Sequence, residues 1–140
     1  MSRGIELIKT VLDKISKSSN YGQCLKKLEI VSAGDGNCKA KFVVSEEHLN
    51  MGGTLHGGFT STIVDCISTY ALMTKDECPP GVSVDLNITF MKPALLGELV
   101  TVDAKTIRAG KRLAFLAVDV TKNDGKDIIA HGRHTKFIGS

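Results

Sequence analysis

Over residues 59–74 the chain can run about four helical turns without glycine or proline, and Asp65 is the only charged residue in the stretch. A helix that apolar has no side to offer water, and it is shorter than the ~20 residues of a membrane span. The rest of the chain must therefore wrap it. Pro79, Pro80 and Gly81 stop the helix, after which Val82, Val84, Leu86, Ile88 and Phe90 alternate with Ser83, Asp85, Asn87 and Thr89 as a long half-buried strand. Three more alternating runs, 99–108, 112–122 and 127–137, are joined by turns at Ala109-Gly110 and Asn123-Asp124-Gly125 and predict an antiparallel meander. Upstream, Leu28 and Ile30, then Cys38, Ala40, Phe42 and Val44, flank Gly34-Asp35-Gly36 as a hairpin. Residues 4–19 carry Ile5, Ile8, Val11, Leu12 and Ile15 at helical spacing and predict an amphipathic helix, which we prefer to a mitochondrial transit peptide because Glu6 and Asp13 lie within it. The pattern predicts an α+β chain in which an antiparallel sheet curls around one long buried helix, with an N-terminal helix added, as a single domain over 1–140. The second face of the sheet then needs water or a partner, so an oligomer is expected.

A net charge of +3 is spread along the chain without the basic run or interleaved aromatics of a nucleic-acid binder, so no nucleic-acid partner is expected. Cys24, Cys38, Cys66 and Cys78 are irregularly spaced and form no C-x-x-C pair, which reads as reduced thiols in a cytosol-like compartment. The sequence lacks a stretch long enough to span a membrane and a signal-peptide core, so a soluble, unsecreted protein is expected.

The chemistry is concentrated around Asp65. A carboxylate among Ile63, Val64, Cys66 and Ile67 is out of place in a buried helix, and it lies too far in to be explained by the helix dipole. It either ties down a backbone group or an arginine, or it works on a substrate. The loop of residues 45–58 holds four glycines, two histidines and Asn50, and its last glycines, Gly57 and Gly58, sit where the helix begins. Free N–H groups and the positive helix end point outward there, ready for an oxyanion. A phosphate loop is disfavoured because the G-K-[ST] ending is missing. A plain capping role for the glycines remains the alternative. His131 and His134 have H-x-x-H spacing but face opposite sides of a strand, so neither a metal nor any other cofactor is expected. Cys66 reads as a small buried hydrophobe more than a nucleophile. Lys92, Lys111, Arg112, Arg133 and Lys136 lie near strand ends, where they are either solvated charges or contacts for an anionic substrate.

The string His56-Gly57-Gly58, then Asp65 inside an apolar helix, then Val82-Ser83-Val84-Asp85-Leu86-Asn87-Ile88, resembles the hotdog-fold thioesterases of the phenylacetyl-CoA and 4-hydroxybenzoyl-CoA thioesterase group. The resemblance runs over the whole chain, through the ending Gly132-Arg133-His134-Thr135-Lys136. It implies an acyl-CoA thioesterase in which Gly57 N–H and Asn50 polarise the thioester carbonyl, Asp65 activates water, Ser83 helps to position it, and His56 supports the loop. Gly58 and some of Lys92, Lys111, Arg112 and Arg133 are expected to contact the substrate, a medium- to long-chain fatty acyl-CoA. The resemblance further implies a homotetramer and association with mitochondria or the nucleus. A hotdog-fold hydroxyacyl dehydratase using His56, and a non-catalytic acyl-CoA-binding module, are the competing readings.

Gly57 and Asp65 are separated by ~12 Å along a helix rising 1.5 Å per residue, too far for both to touch one carbonyl. The spacing therefore predicts a site shared between two subunits.

Overall fold

The computed structural model describes residues 3–139. Helix α1 (Arg3–Ser16) leads through a 3-10 turn (Tyr21–Leu25) into strands β1 (Glu29–Gly34) and β2 (Asn37–Val43). A second 3-10 turn (Glu46–His48) and the glycine loop precede α2 (Gly57–Met73), followed by β3 (Val82–Phe90), β4 (Leu99–Ala109), β5 (Leu113–Lys122) and β6 (Asp127–Phe137). The two 3-10 turns have no apolar periodicity long enough to read, and α1 ends short of the expected Ser19. Helix α2 begins two residues before the expected start because a side chain caps it there.

All six strands pair antiparallel in the order β1-β2-β4-β5-β6-β3. The sheet wraps α2 as the alternation predicts. Ile63, Val64, Ile67, Ala71 and Leu72 of the helix, with Val100, Val102, Val118 and Val120 of the sheet, are almost fully buried. Each buried Val, Ile or Leu among them contributes about 1.5–3 kcal/mol relative to exposure. The closest approach is at β6: a Cβ on Gly132 would meet Val64 Cγ1 at 2.6 Å, so the strand can press on the helix only because that residue is glycine.

The two edges of the sheet differ. Helix α1 packs Ile5, Ile8 and Leu12 into the core beside β1. Strand β3, at the other edge, keeps almost its whole length exposed on both faces, with Val82, Val84 and Phe90 each more than half exposed. Asp85 is its single charge and it has no proline, so nothing in the strand itself blunts the edge against pairing.

Strand β3 also departs from simple alternation. Its register against β6 shifts between Ser83 and Asp85, so Ser83 pairs with Lys136 while Asp85 pairs with Thr135. Strict alternation would put Ser83 on the outer face with Asp85 and Asn87. The bulge at Val84 turns it inward, toward α2.

Candidate active site

The loop before α2 is anchored by His48, whose buried ring stacks on Phe59 at 4.4 Å and meets Phe42 edge-on at 5.1 Å. The His48 carbonyl accepts from His56 N–H at 2.8 Å, fixing where the helix starts. His56 Nδ1 then accepts from Gly58 N–H at 2.7 Å as the N-cap. Gly58, expected at the substrate, thus spends its donor inside the protein. Gly57 N–H has no acceptor among the described residues and points from the positive end of the helix.

Asn50 is wound into the same loop. Its Oδ1 accepts from Gly52 N–H (2.9 Å) and Thr54 N–H (3.1 Å), and its Nδ2 donates to Thr54 Oγ1 (2.8 Å). An amide nitrogen carries two hydrogens, so one donor remains for a ligand. Asn50 and Gly57 line one cleft of about 360 Å3, together with Thr60, Phe90, Lys92 and Ile129. Two donors beside a wall of mixed polarity could receive a carbonyl oxygen with an apolar chain alongside.

Asp65 belongs to a different place. Its side chain is 46% exposed, and its Oδ1 lies 3.9 Å from Nε2 of the fully buried His134. That ring bridges two hydroxyls, with Ser68 Oγ 2.8 Å from Nδ1 and Ser83 Oγ 2.7 Å from Nε2. Burial pushes the His134 pKa down, only partly opposed by the Asp65 carboxylate. The ring is neutral at pH 7 and orients hydroxyls more than it pairs charge. The Val84 bulge puts Ser83 in this group, and helix and strand periodicity supply the rest. From the sequence, His134 reads as a disfavoured metal ligand and as part of the ending shared with the resembled family, without a role of its own. No sequence signal marks it, because both faces of β6 carry polar residues and only the pairing shows which one meets α2.

Other candidates fall as follows. Lys92 sits at the Asn50 cleft and pairs with Asp127 at 2.8 Å. Lys111 and Arg112 occupy the exposed β4–β5 turn, at the end of the sheet where Leu113, Phe137 and Val82 align, and Arg133 is exposed on the outer face. Lys136 is no surface charge: it is 4% exposed and gives Nζ to Thr69 Oγ1 at 2.7 Å. His131 bonds Asp119 at 2.7 Å on the outer face, across the sheet from His134. Burial pushes the Cys66 thiol up to about 12, which leaves it almost no thiolate to attack with.

One chain therefore carries free donors at the start of α2 and a half-exposed carboxylate two turns along it. The thioesterase superfamily model matches residues 52–129, which run from the glycine loop through α2 and β3 into β6. The chain belongs to the thioesterase superfamily. Among its relatives in that superfamily, human acyl-coenzyme A thioesterase 13 is 44% identical over the full length of both chains. The crystal structure of zebrafish thioesterase superfamily member 2 superposes with a TM-score of 0.94 at 42% identity, covering 99% of this chain and 100% of that one. The mouse thioesterase superfamily member 2 structure matches at 0.90 with the same identity and coverage. This thioesterase accordingly has the hotdog fold.

Proposed function

We propose that this thioesterase hydrolyses medium- to long-chain fatty acyl-CoA to the fatty acid and coenzyme A, at a site built from two copies of the chain. Asp65 takes a proton from water, Ser83 holds that water, and the hydroxide adds to the thioester carbonyl. Gly57 N–H and Asn50 Nδ2 receive the oxyanion until the C–S bond breaks and the thiolate leaves. His56 acts as the cap that sets Gly57. The 44% identity over the full length to human acyl-coenzyme A thioesterase 13 supports the reaction class.

The observation that carries the shared site is the bare β3 edge. Ser83 lies near the start of that strand and Phe90 at its end, against Gly57. Antiparallel pairing of two β3 strands about a twofold axis sets each Phe90 end beside the partner's Ser83 end. The Asn50 and Gly57 donors then face a carboxylate eight residues too distant in their own chain. The same pairing brings the Lys111 and Arg112 end of one chain toward Lys92 of the other, a basic mouth for coenzyme A phosphates. Outer-face residues such as Ile107, Phe115 and Phe137, all 39–58% exposed, offer a second surface on which two dimers would form a tetramer.

A dehydratase would need a histidine free to move protons beside an acid. His56 Nδ1 is committed to Gly58, and His134 is sealed between two serines. Among the described residues no helix is long and apolar enough to cross a membrane. The four cysteines are unpaired, which suits the cytosol, with mitochondrial or nuclear association, as the setting we propose.

A thiol-release assay on saturated acyl-CoA esters of increasing chain length tests the reaction directly. Release of coenzyme A is expected, with an optimum among medium to long chains. A saturated chain offers nothing to dehydrate, so absence of thiol release at every length would reject hydrolysis.

A further inference from the structure

Lys136 is buried to 4% exposure on the inner face of β6, where a lysine is rarely found without a partner. Its ammonium has three hydrogens, yet Thr69 Oγ1 at 2.7 Å is its one hydrogen-bond acceptor among the described residues. The Thr69 proton goes to the Asp65 carbonyl at 2.7 Å, so that hydroxyl is fixed as an acceptor. Lys136 is thus tied to the backbone of Asp65 through one side chain. The titratable groups around it are Asp65 and Cys66 on α2 and His134 on its own strand. From β3, Ser83 stands opposite in register, while Asp85 pairs with Thr135 on the outer face. Apolar replacement of a buried charge is often neutral or stabilising, so packing gives no reason for an ammonium here. The hydrolytic reading uses Asp65 and leaves Lys136 unexplained.

We propose that Lys136 is a positioning residue for Asp65, whose ammonium supplies the fixed counter-charge that the carboxylate needs once the partner subunit and the acyl chain exclude water from it. The inference rests on Asp65 being the general base. In the single chain Asp65 is half exposed and water can solvate it. In the closed dimer that solvation is lost, and a carboxylate left there without a counter-charge would bear a large desolvation cost. The coupling is visible from the lysine side. Burial pushes the Lys136 pKa below the ordinary lysine value, and the Asp65 carboxylate pulls it back up.

Two measurements on the full-length protein test this. In Lys136→Met, kcat at neutral pH should fall by about tenfold or more with KM changed less than about twofold, since substrate contacts are untouched. Wild type should also lose activity at alkaline pH as Lys136 gives up its proton, a limb the variant should lack. Thr69→Val, which removes the acceptor, should lower kcat in the same direction and covers the case in which Lys136→Met fails to fold. A folded Lys136→Met enzyme with wild-type kcat and pH profile would overturn the proposal. The second measurement needs no turnover: NMR titration of the Lys136 Cε signals in wild type and Asp65→Asn. The asparagine variant should lose the lysine proton at lower pH. An unchanged titration would overturn the counter-charge even in an active enzyme. A changed titration in a protein that hydrolyses no acyl-CoA would sustain the coupling and defeat the hydrolytic reading instead.

Discussion

Asp65→Asn is expected to lower kcat by ~10²–10⁴, the usual worth of a general base, while acyl-CoA binding stays close to wild type. The substitution is nearly isosteric. The side chain is half exposed, its carboxylate accepts no hydrogen bond among the described residues, and His134 Nε2 lies 3.9 Å from it, beyond hydrogen-bond range. The change therefore strips no buried hydrogen bond, and the fold should survive. Steady-state kinetics on a variant with a wild-type circular dichroism spectrum check this, and comparable turnover would assign Asp65 a structural role. If Asp65 attacked the carbonyl itself, it would form an anhydride that water then opens. Single turnover in isotopically labelled water separates the routes, because label enters the Asp65 carboxylate only through the anhydride.

Asn50→Ala should lower kcat by ~10²–10³ and change KM far less, since an oxyanion donor works chiefly on the transition state. The structure adds a complication. Asn50 Oδ1 also holds the N–H groups of Gly52 and Thr54, so alanine loosens the loop as well as removing a donor. Asn50→Asp keeps both acceptor bonds and places negative charge where the oxyanion forms. A fall in kcat there at least as deep as in Asn50→Ala identifies the donor as the cause. An effect confined to KM in both variants would move Asn50 to ground-state binding.

Much of this arrangement is legible in the sequence because periodicity is legible. The 59–74 stretch had to be wrapped, and the alternating runs after Val82 had to do the wrapping. The glycines before an apolar helix mark where α2 begins and the lone charge marks Asp65, although its side of the helix is half exposed and not buried as the pattern predicts. What escapes is what depends on registry between distant elements. Ser83 reads as an outer-face residue until the bulge at Val84 turns it in. His134 and Lys136 alternate with His131, Arg133 and Thr135 on a strand whose two faces are both polar, so neither face announces itself as interior. Their meaning comes from Ser68 and Thr69, more than sixty residues earlier on α2. The bareness of β3 is invisible for the same reason. A strand following α2 in sequence joins the sheet at its far edge, beyond β6.

If each site takes its donors from one chain and its base from another, two inactive variants should restore activity to each other. A chain carrying Asp65→Ala is coexpressed with one carrying Asn50→Ala, each nearly inactive alone. A mixed dimer then contains one site with both wild-type residues and one with neither, so random pairing should restore about a quarter of wild-type activity. Mixed dimers verified by mass that recover no turnover would contradict the shared site.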